Sequence, residues 1–218
     1  MTILALEFSS AQRSVAVMRS SNPQVMTEIV ETGAGGTRAF GMVEAALREA
    51  GSDREQIEAI AIGLGPGSHT GIRVAISIAQ GWQMACGVKL LGVSSVECLA
   101  AQAQAEKIFG RVNVVIDAQR NEVYLASYEV SSGEWKEIKP LQITASTRMP
   151  SCNDAGEIWV GPEITRWLSQ GKILFPSAAI LARLAASRND FVRGDQLSPI
   201  YLREPSFIKV ARPDPLFF

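Results

Sequence analysis

The stretch Gly63-Leu64-Gly65-Pro66-Gly67-Ser68-His69-Thr70-Gly71-Ile72-Arg73 joins an apolar run, residues 57–62, to a long helical segment. Its glycines and proline predict a tight turn whose backbone approaches a neighbouring group closely. Ser68 and Thr70 are residue types that cap helices, so the amides after them are expected to face the turn and favour an anion. The spacing matches neither a Walker A loop nor a dinucleotide-binding motif.

Two interpretations of this turn remain open. It either reverses the chain between packed elements, or it forms a phosphate or interface loop. The loop would consist of Gly65, Pro66, Gly67, Ser68, Thr70, Gly71 and Arg73. Arg73 falls in the first turn of the predicted helix, where a cation opposes the helix dipole, so an acidic group or a phosphate is expected beside it. His69 is interpreted as a turn residue, and a chemical role for it stays open.

The helix predicted after the turn carries no charged residue between Val74 and Val88. Apolar side chains cover most of its circumference and leave a narrow stripe, Ser77, Gln80, Gly81 and Met84. A surface helix normally presents a charged face to water, so this helix is expected to be buried nearly all round, inside its own domain or against another chain. Its polar interruptions do not fit a membrane span, which needs about 20 apolar residues.

Composition narrows the class of protein. The 218 residues are 47% hydrophobic and carry a formal net charge of −1, which predicts a sizeable core and gives no basic field for holding RNA directly. The N-terminus lacks a basic region and meets Glu7 early, so we expect a cytoplasmic protein without a signal peptide. Three cysteines without a Cys-x-x-Cys pair, together with a single histidine, predict no disulfide scaffold, no metal site and no cofactor.

The order of predicted elements repeats along the chain. It is βββαβαβα up to residue 109, and strand-rich runs then begin again, each half opening with an apolar strand that ends on a carboxylate, Glu7 or Asp117. This predicts an α/β, duplicated ribonuclease-H-like fold of the actin-like ATPase type. The expected lobes are residues 1–109, with partner-binding helices, and residues 110–218, reduced and with a C-terminal tail. Further predictions are helices near residues 37–50, 163–169 and 177–187, and a capping box from Ser94 to Glu97.

Five segments together resemble the TsaB family, also called YeaZ. They are ILALEFSS at 3–10, GPGSHTGIR at 65–73, GVSSVE at 92–97, DAQRNEVY at 117–124 and PIYLR at 199–203. The resemblance implies the actin-like fold and a role in making threonylcarbamoyladenosine in tRNA. It also implies a non-catalytic subunit that pairs with the TsaD transferase and recruits the TsaE ATPase. Such a subunit is expected to contact tRNA only through the complex and not to bind membranes. When alone, it is expected to form a homodimer.

The chain departs from the family pattern in its first motif, where Glu7-Phe8-Ser9 replaces the usual Asp-Thr-Ser, and at His69, where phenylalanine is usual. TsaD-type enzymes carry a His-x-x-x-His metal pair, which one histidine cannot supply. One hypothesis is therefore a scaffold and activator with no catalytic residues. The alternative is an ATP-dependent transferase or kinase whose nucleotide cleft contains Glu7, Ser9 and Asp117. Both acids also fit a structural role as caps of turns. A peptidase has no nucleophile or metal motif to support it.

For the scaffold hypothesis, the first helix and the long helix are expected to pair with two helices of the partner. The predicted interface residues share small or uncharged side chains and are Met42, Ala45, Ala46, Ser77, Gln80 and Met84. Arg120 and Glu122 share one face at the start of a strand, where they contact a partner or shield a sheet edge.

Overall fold

Two five-stranded sheets with the same internal order organise the chain in the computed structural model, which describes residues 1–33, 38–149 and 156–203. The first sheet contains β1 (Thr2–Glu7), β2 (Gln12–Arg19), β3 (Met26–Thr32), β4 (Ala59–Gly63) and β5 (Lys89–Val93). The second contains β6 (Gly110–Gln119), β7 (Glu122–Val130), β8 (Trp135–Ala145), β9 (Glu157–Gly161) and β10 (Lys172–Ile173). Their orders, β3-β2-β1-β4-β5 and β8-β7-β6-β9-β10, are equivalent.

Strand directions repeat as well. β1 is antiparallel to β2 and parallel to β4, and β6 is antiparallel to β7 and parallel to β9. The repeated order and directions confirm the duplicated, two-lobed α/β fold predicted from the sequence. β6 begins at Gly110, next to the expected lobe boundary. The division into residues 1–109 and 110–218 stays a prediction, because the helices pack across it.

Among the described residues, four α-helices cover the sheets: α1 (Ala39–Glu49), α2 (His69–Cys86), α3 (Ser95–Ala105) and α4 (Ala178–Ala186). Side chains alternate across β1, so Leu4 and Leu6 pack with α1 and α2, while Ile3 and Ala5 pack with α4 on the other face. Both faces of this strand are therefore buried, which explains its unbroken apolar sequence. No helix among the described residues is long and apolar enough to cross a bilayer.

The helix α4 belongs to the first sheet although it follows the second in sequence. Its first amide, on Ala178, donates a hydrogen bond of 2.7 Å to Ser14 Oγ in β2. The helix α3 lies between the two sheets, with Cys98 packed towards the first and Leu99 towards the second. The two halves of the sequence therefore share one interlobe helical layer.

Two local predictions are wrong. The segment near 163–169 is a 3₁₀ turn, Ile164–Arg166, because the chain turns again towards β10 through the amide of Gly171, which donates to Leu168 O at 2.9 Å. Ser94 is the N-cap of α3, but Glu97 pairs with Arg188 at 3.0 Å and no capping box forms.

The expectation that α2 is buried inside its own domain is wrong, while burial of its exposed face against another chain stays a prediction. Its core face contains Ile72, Ala75 and Ala79, whereas its last turns extend past the sheet and leave Met84 89% exposed. The N-terminus of α2 agrees with the sequence, because the Ser68 hydroxyl accepts a hydrogen bond from Gly71 N at 3.3 Å. The other end stops at Gly87 in the left-handed conformation, φ 69°. The expected start of α1 at residue 37 lies outside the described residues.

Candidate functional site: an interlobe cleft and a helical groove

The glycine turn packs against the chain's own backbone. A side-chain Cβ at Gly67 would lie 2.1 Å from Ser9 O, and one at Gly71 would lie 1.9 Å from Phe8 O. Ser68 N also donates to Ser9 O at 2.6 Å. The close approach that the glycines allow is therefore used to set α2 against the end of β1. A phosphate or interface role for the turn stays a prediction.

Glu7, at the end of β1, is fully buried beneath this contact. Its Oε1 accepts a hydrogen bond of 2.7 Å from Ser9 N, while Oε2 has no partner within the described part of the chain. Burial raises the pKa of this carboxyl from 4.5 to about 7, although the hydrogen bonds from Ser9 oppose the rise. Ser9 Oγ accepts a hydrogen bond from Ser95 Oγ at 2.9 Å, which ties the same segment to α3.

The buried carboxyl predicts a pH-dependent stability. The unfolded chain releases the Glu7 proton near pH 4.5 and the folded chain near pH 7, so the folded protein loses stability as the pH rises between these values. The loss is expected to reach about 3 kcal/mol above pH 8. Glu7→Gln should remove it, which urea unfolding at pH 5 and pH 8 would measure, with the exposed Glu134→Gln as control. An unchanged pH dependence in Glu7→Gln would show that Glu7 is not responsible.

Asp117, two residues before the end of β6, lies in a different setting. Its carboxylate forms an ion pair with Arg166 and accepts a hydrogen bond of 2.8 Å from Gln119 N, and its side chain is 12% exposed. Burial raises the pKa of Glu163, although a hydrogen bond from the Asp117 backbone opposes the rise, and Oε2 of Glu163 has no partner among the described residues. The charge of Asp117 is therefore already neutralised by Arg166, which belongs to the same lobe.

A cleft of about 460 Å³ separates the two lobes. Ser9, Ser68 and His69 line it from the first lobe, and Asp117, Gln119 and Glu163 line it from the second. Of the three residues predicted for a nucleotide cleft, Ser9 and Asp117 therefore face it, whereas Glu7 is not among the lining residues. In the described ranges, no group of three or more His, Cys, Asp or Glu side chains is arranged to hold a metal ion.

Two polar residues in the first turns of α2, His69 and Arg73, contact the aromatic ring of Tyr201. The His69 ring stacks on Tyr201 with centroids 4.5 Å apart and planes 15° from parallel. The Arg73 guanidinium lies 5.9 Å from the centroid of the same ring. The structure thus places an aromatic ring beside Arg73, where the sequence predicted an acidic group or a phosphate. Nothing in the local sequence indicates this contact, since 132 positions separate His69 from Tyr201.

A second cavity is an apolar groove of about 400 Å³ between α1 and α2. We call it the helical groove, and its apolar part is lined by Phe40, Val43, Ile78, Gly81, Trp82, Ala85 and Cys86. Phe40 is 73% exposed. Glu44 and Arg54 form an exposed ion pair of 2.8 Å at its rim. The groove therefore has an apolar centre and a charged edge.

The structure corrects the interface residues expected on α1. Met42 and Ala46 are 1% and 0% exposed because they pack in the core below the helix, and Ala45 is only partly exposed. On α2, Ser77 and Met84 are exposed, while Gln80 is partly buried and donates to Gly194 O at 2.7 Å. Phe40 is not among the interface residues predicted from the sequence, although it lies at helical spacing from Val43 and Leu47.

Comparisons with known proteins give a consistent result. The family model of TsaD, tRNA N6-adenosine threonylcarbamoyltransferase, matches residues 37–194. The tRNA threonylcarbamoyladenosine biosynthesis protein TsaB of Escherichia coli K12 is 29% identical over 220 residues, which cover 93% of this chain and 95% of that protein. The TsaB of Haemophilus influenzae is 28% identical, covering 93% and 94%. The structure of YeaZ from Pseudomonas aeruginosa superposes with a TM-score of 0.77 at 31% identity, covering 92% and 99%.

Proposed function

The chain belongs to the TsaB (YeaZ) family, and we propose that it serves threonylcarbamoyladenosine formation in tRNA as a non-catalytic subunit that binds and activates a TsaD-type transferase. The observation that carries this proposal is the helical groove, an open apolar surface with Phe40 exposed in it. Contiguous apolar surface of this kind is typical of sites that bind another protein. A charged rim around an apolar centre is likewise the usual anatomy of a protein interface.

The nature of the partner follows from the family model. It describes TsaD and matches residues 37–194, which include both α1 and α2. A TsaD-type chain is therefore expected to carry equivalent helices with an equivalent exposed face. Two chains with similar faces can pair about an approximate two-fold axis, each presenting two helices to the other. A second copy of this chain fits the same geometry, so we propose a homodimer when the partner is absent.

The two acids considered for nucleotide chemistry support a non-catalytic role. Glu7 is buried with its pKa raised to about 7, and Asp117 is paired with Arg166. Neither is arranged as an exposed carboxylate that could hold a hydrated metal ion. The only histidine of the chain stacks on Tyr201.

The cleft itself favours the second candidate function, an ATP-dependent transferase or kinase, because Ser9 and Asp117 line a space of about 460 Å³.

We propose that the remaining partners act on the assembled pair. The net charge of −1 gives this chain no basic field for tRNA, so tRNA is expected to bind through the complex. A TsaE-type ATPase is expected to join the same complex and supply the ATP chemistry. The proposed location is the cytoplasm.

Reconstitution tests this function. The isolated chain is expected to show no ATP hydrolysis above background and no modification of tRNA. Addition of the chain to a TsaD-type transferase and a TsaE-type ATPase, supplied with tRNA, ATP and an activated threonylcarbamoyl donor, should allow threonylcarbamoyladenosine to form, measured by mass spectrometry of digested tRNA. Asp117→Ala should retain most of this activity. ATP turnover by the isolated chain that is lost in Asp117→Ala would instead support the enzyme hypothesis.

A further inference from the structure

Two motifs that are far apart in the sequence meet in the structure. Residues 199–203, which we call the strap, run from the first lobe to the second. At the first lobe, Ile200 N donates a hydrogen bond of 2.9 Å to Leu64 O, directly after β4. The strap is therefore attached to the backbone of the glycine turn that precedes α2.

Tyr201 provides a second attachment to the same lobe. Its ring lies against His69 and Arg73, which are one turn apart on α2 and therefore lie on the same face of the helix. Stacking and a cation near an aromatic ring both stabilise such a contact. Ile200 and Tyr201 together hold the strap at the first wall of the cleft, which His69 lines.

Arg203 attaches the strap to the second lobe. Its Nη2 donates a hydrogen bond of 3.1 Å to Ala118 O and forms an ion pair with the Glu122 carboxylate. The turn between these acceptors, residues 119–121, has three consecutive positive φ angles of 63°, 57° and 60°. A planar guanidinium with several donors suits a site that combines a carbonyl and a carboxylate. Ala118 also lines the cleft, from its second wall.

We propose that the strap is a tether that limits the opening of the interlobe cleft and couples the first turn of α2 to the turn between β6 and β7. Its anchors are the backbone amide of Ile200 and the side chain of Arg203, so their separation is limited to about 11 Å of backbone plus the length of one arginine side chain. The cleft can widen at this edge only when one anchor releases. This tether is independent of the proposed partner and of any ligand in the cleft.

Hydrogen–deuterium exchange of the full chain tests the coupling. The amides of Ser68, Gly71 and Ile72 are hydrogen bonded at the first wall and report its opening. Arg203→Ala is expected to speed their exchange at least 10-fold, although Arg203 contacts only the second lobe. The matched control is Arg193→Ala, which removes an exposed ion pair with Asp195 that does not join the lobes. This control should leave exchange at residues 67–72 unchanged.

A longer strap distinguishes transmission through the chain from a general loss of stability. Two glycines inserted between Tyr201 and Leu202 keep every anchor and add about 7 Å of slack. In this background Arg203→Ala should speed exchange only in residues 118–123. The proposal is overturned if Arg203→Ala leaves residues 67–72 unchanged in the natural strap, or changes them equally in both backgrounds. If the insertion prevents folding, Arg203→Lys takes its place and should give an intermediate rate at residues 67–72, and a wild-type rate there would overturn the proposal.

Discussion

Phe40→Glu is expected to lower the affinity for a TsaD-type partner at least 100-fold while the isolated chain remains folded. Phe40 is 73% exposed, so its replacement removes little of the core of the free protein. In the proposed complex the new carboxylate would be buried in the apolar helical groove, where the rim arginine, Arg54, already pairs with Glu44. An unpaired charge in such a place costs several kcal/mol, and loss of an aromatic anchor adds to this cost.

Isothermal titration calorimetry with the purified partner would measure the affinity, and circular dichroism would confirm the fold. Phe109→Glu is the matched control, because Phe109 is also exposed, at 43%, but does not line the helical groove. It should bind like the natural chain. Full affinity in Phe40→Glu, or a loss confined to Phe109→Glu, would place the interface elsewhere. Ala46→Arg cannot serve this purpose, because Ala46 is fully buried and an arginine there would disrupt the core.

Gly71→Ala is expected to destabilise the folded chain by about 3 kcal/mol, the size typical of overpacking against atoms that cannot move. The added Cβ would lie 1.9 Å from Phe8 O, a backbone atom at the end of β1. Relief requires α2 to shift away from the first sheet, and that shift would also disturb the contact between Ser68 N and Ser9 O.

Gly81→Ala is the matched substitution in the same helix. A Cβ at Gly81 has no atom within 4 Å, so the change should stabilise the isolated chain by about 0.5–1 kcal/mol through helix propensity. Urea unfolding of the two variants at one pH gives the comparison. Equal stabilities would mean that the close approach at Gly71 does not constrain the fold.

Local sequence patterns were sufficient for much of the architecture. The apolar strands that end at Glu7 and Asp117 indicated the duplication, and the two sheets have the same strand order. Ser68 was recognised as an N-cap because capping depends on residues within one helical turn. The glycine turn was likewise identified from residues 63–73 alone. These features depend on neighbours in the chain, so a sequence specifies them directly.

The face of α1 that meets water was decided by the tertiary structure. Apolar residues occupy two sides of this helix, and only packing against the first sheet buries Met42 and Ala46 while leaving Phe40 exposed. When apolar residues cover more than one face of a helix, the sequence does not show which of them stay exposed to water. The pairing of α1 and α2 with a partner therefore stays a prediction, and two of the residues named for it on α1 are buried in the core.

The partners of the polar residues were also decided by the tertiary structure. Asp117 pairs with Arg166, which lies 49 positions away in the sequence, and Glu122 pairs with Arg203, 81 positions away. The sequence correctly identified Glu7 as a strand end, whereas β6 continues for two residues past Asp117. It gave no sign that Glu7 is buried and Asp117 ion-paired. Charge and hydrogen-bonding capacity are properties of a residue, whereas its partner depends on which distant segments the sheet topology brings together. Periodicity and capping therefore determined the elements of this protein, and long-range juxtaposition determined its cleft, groove and strap.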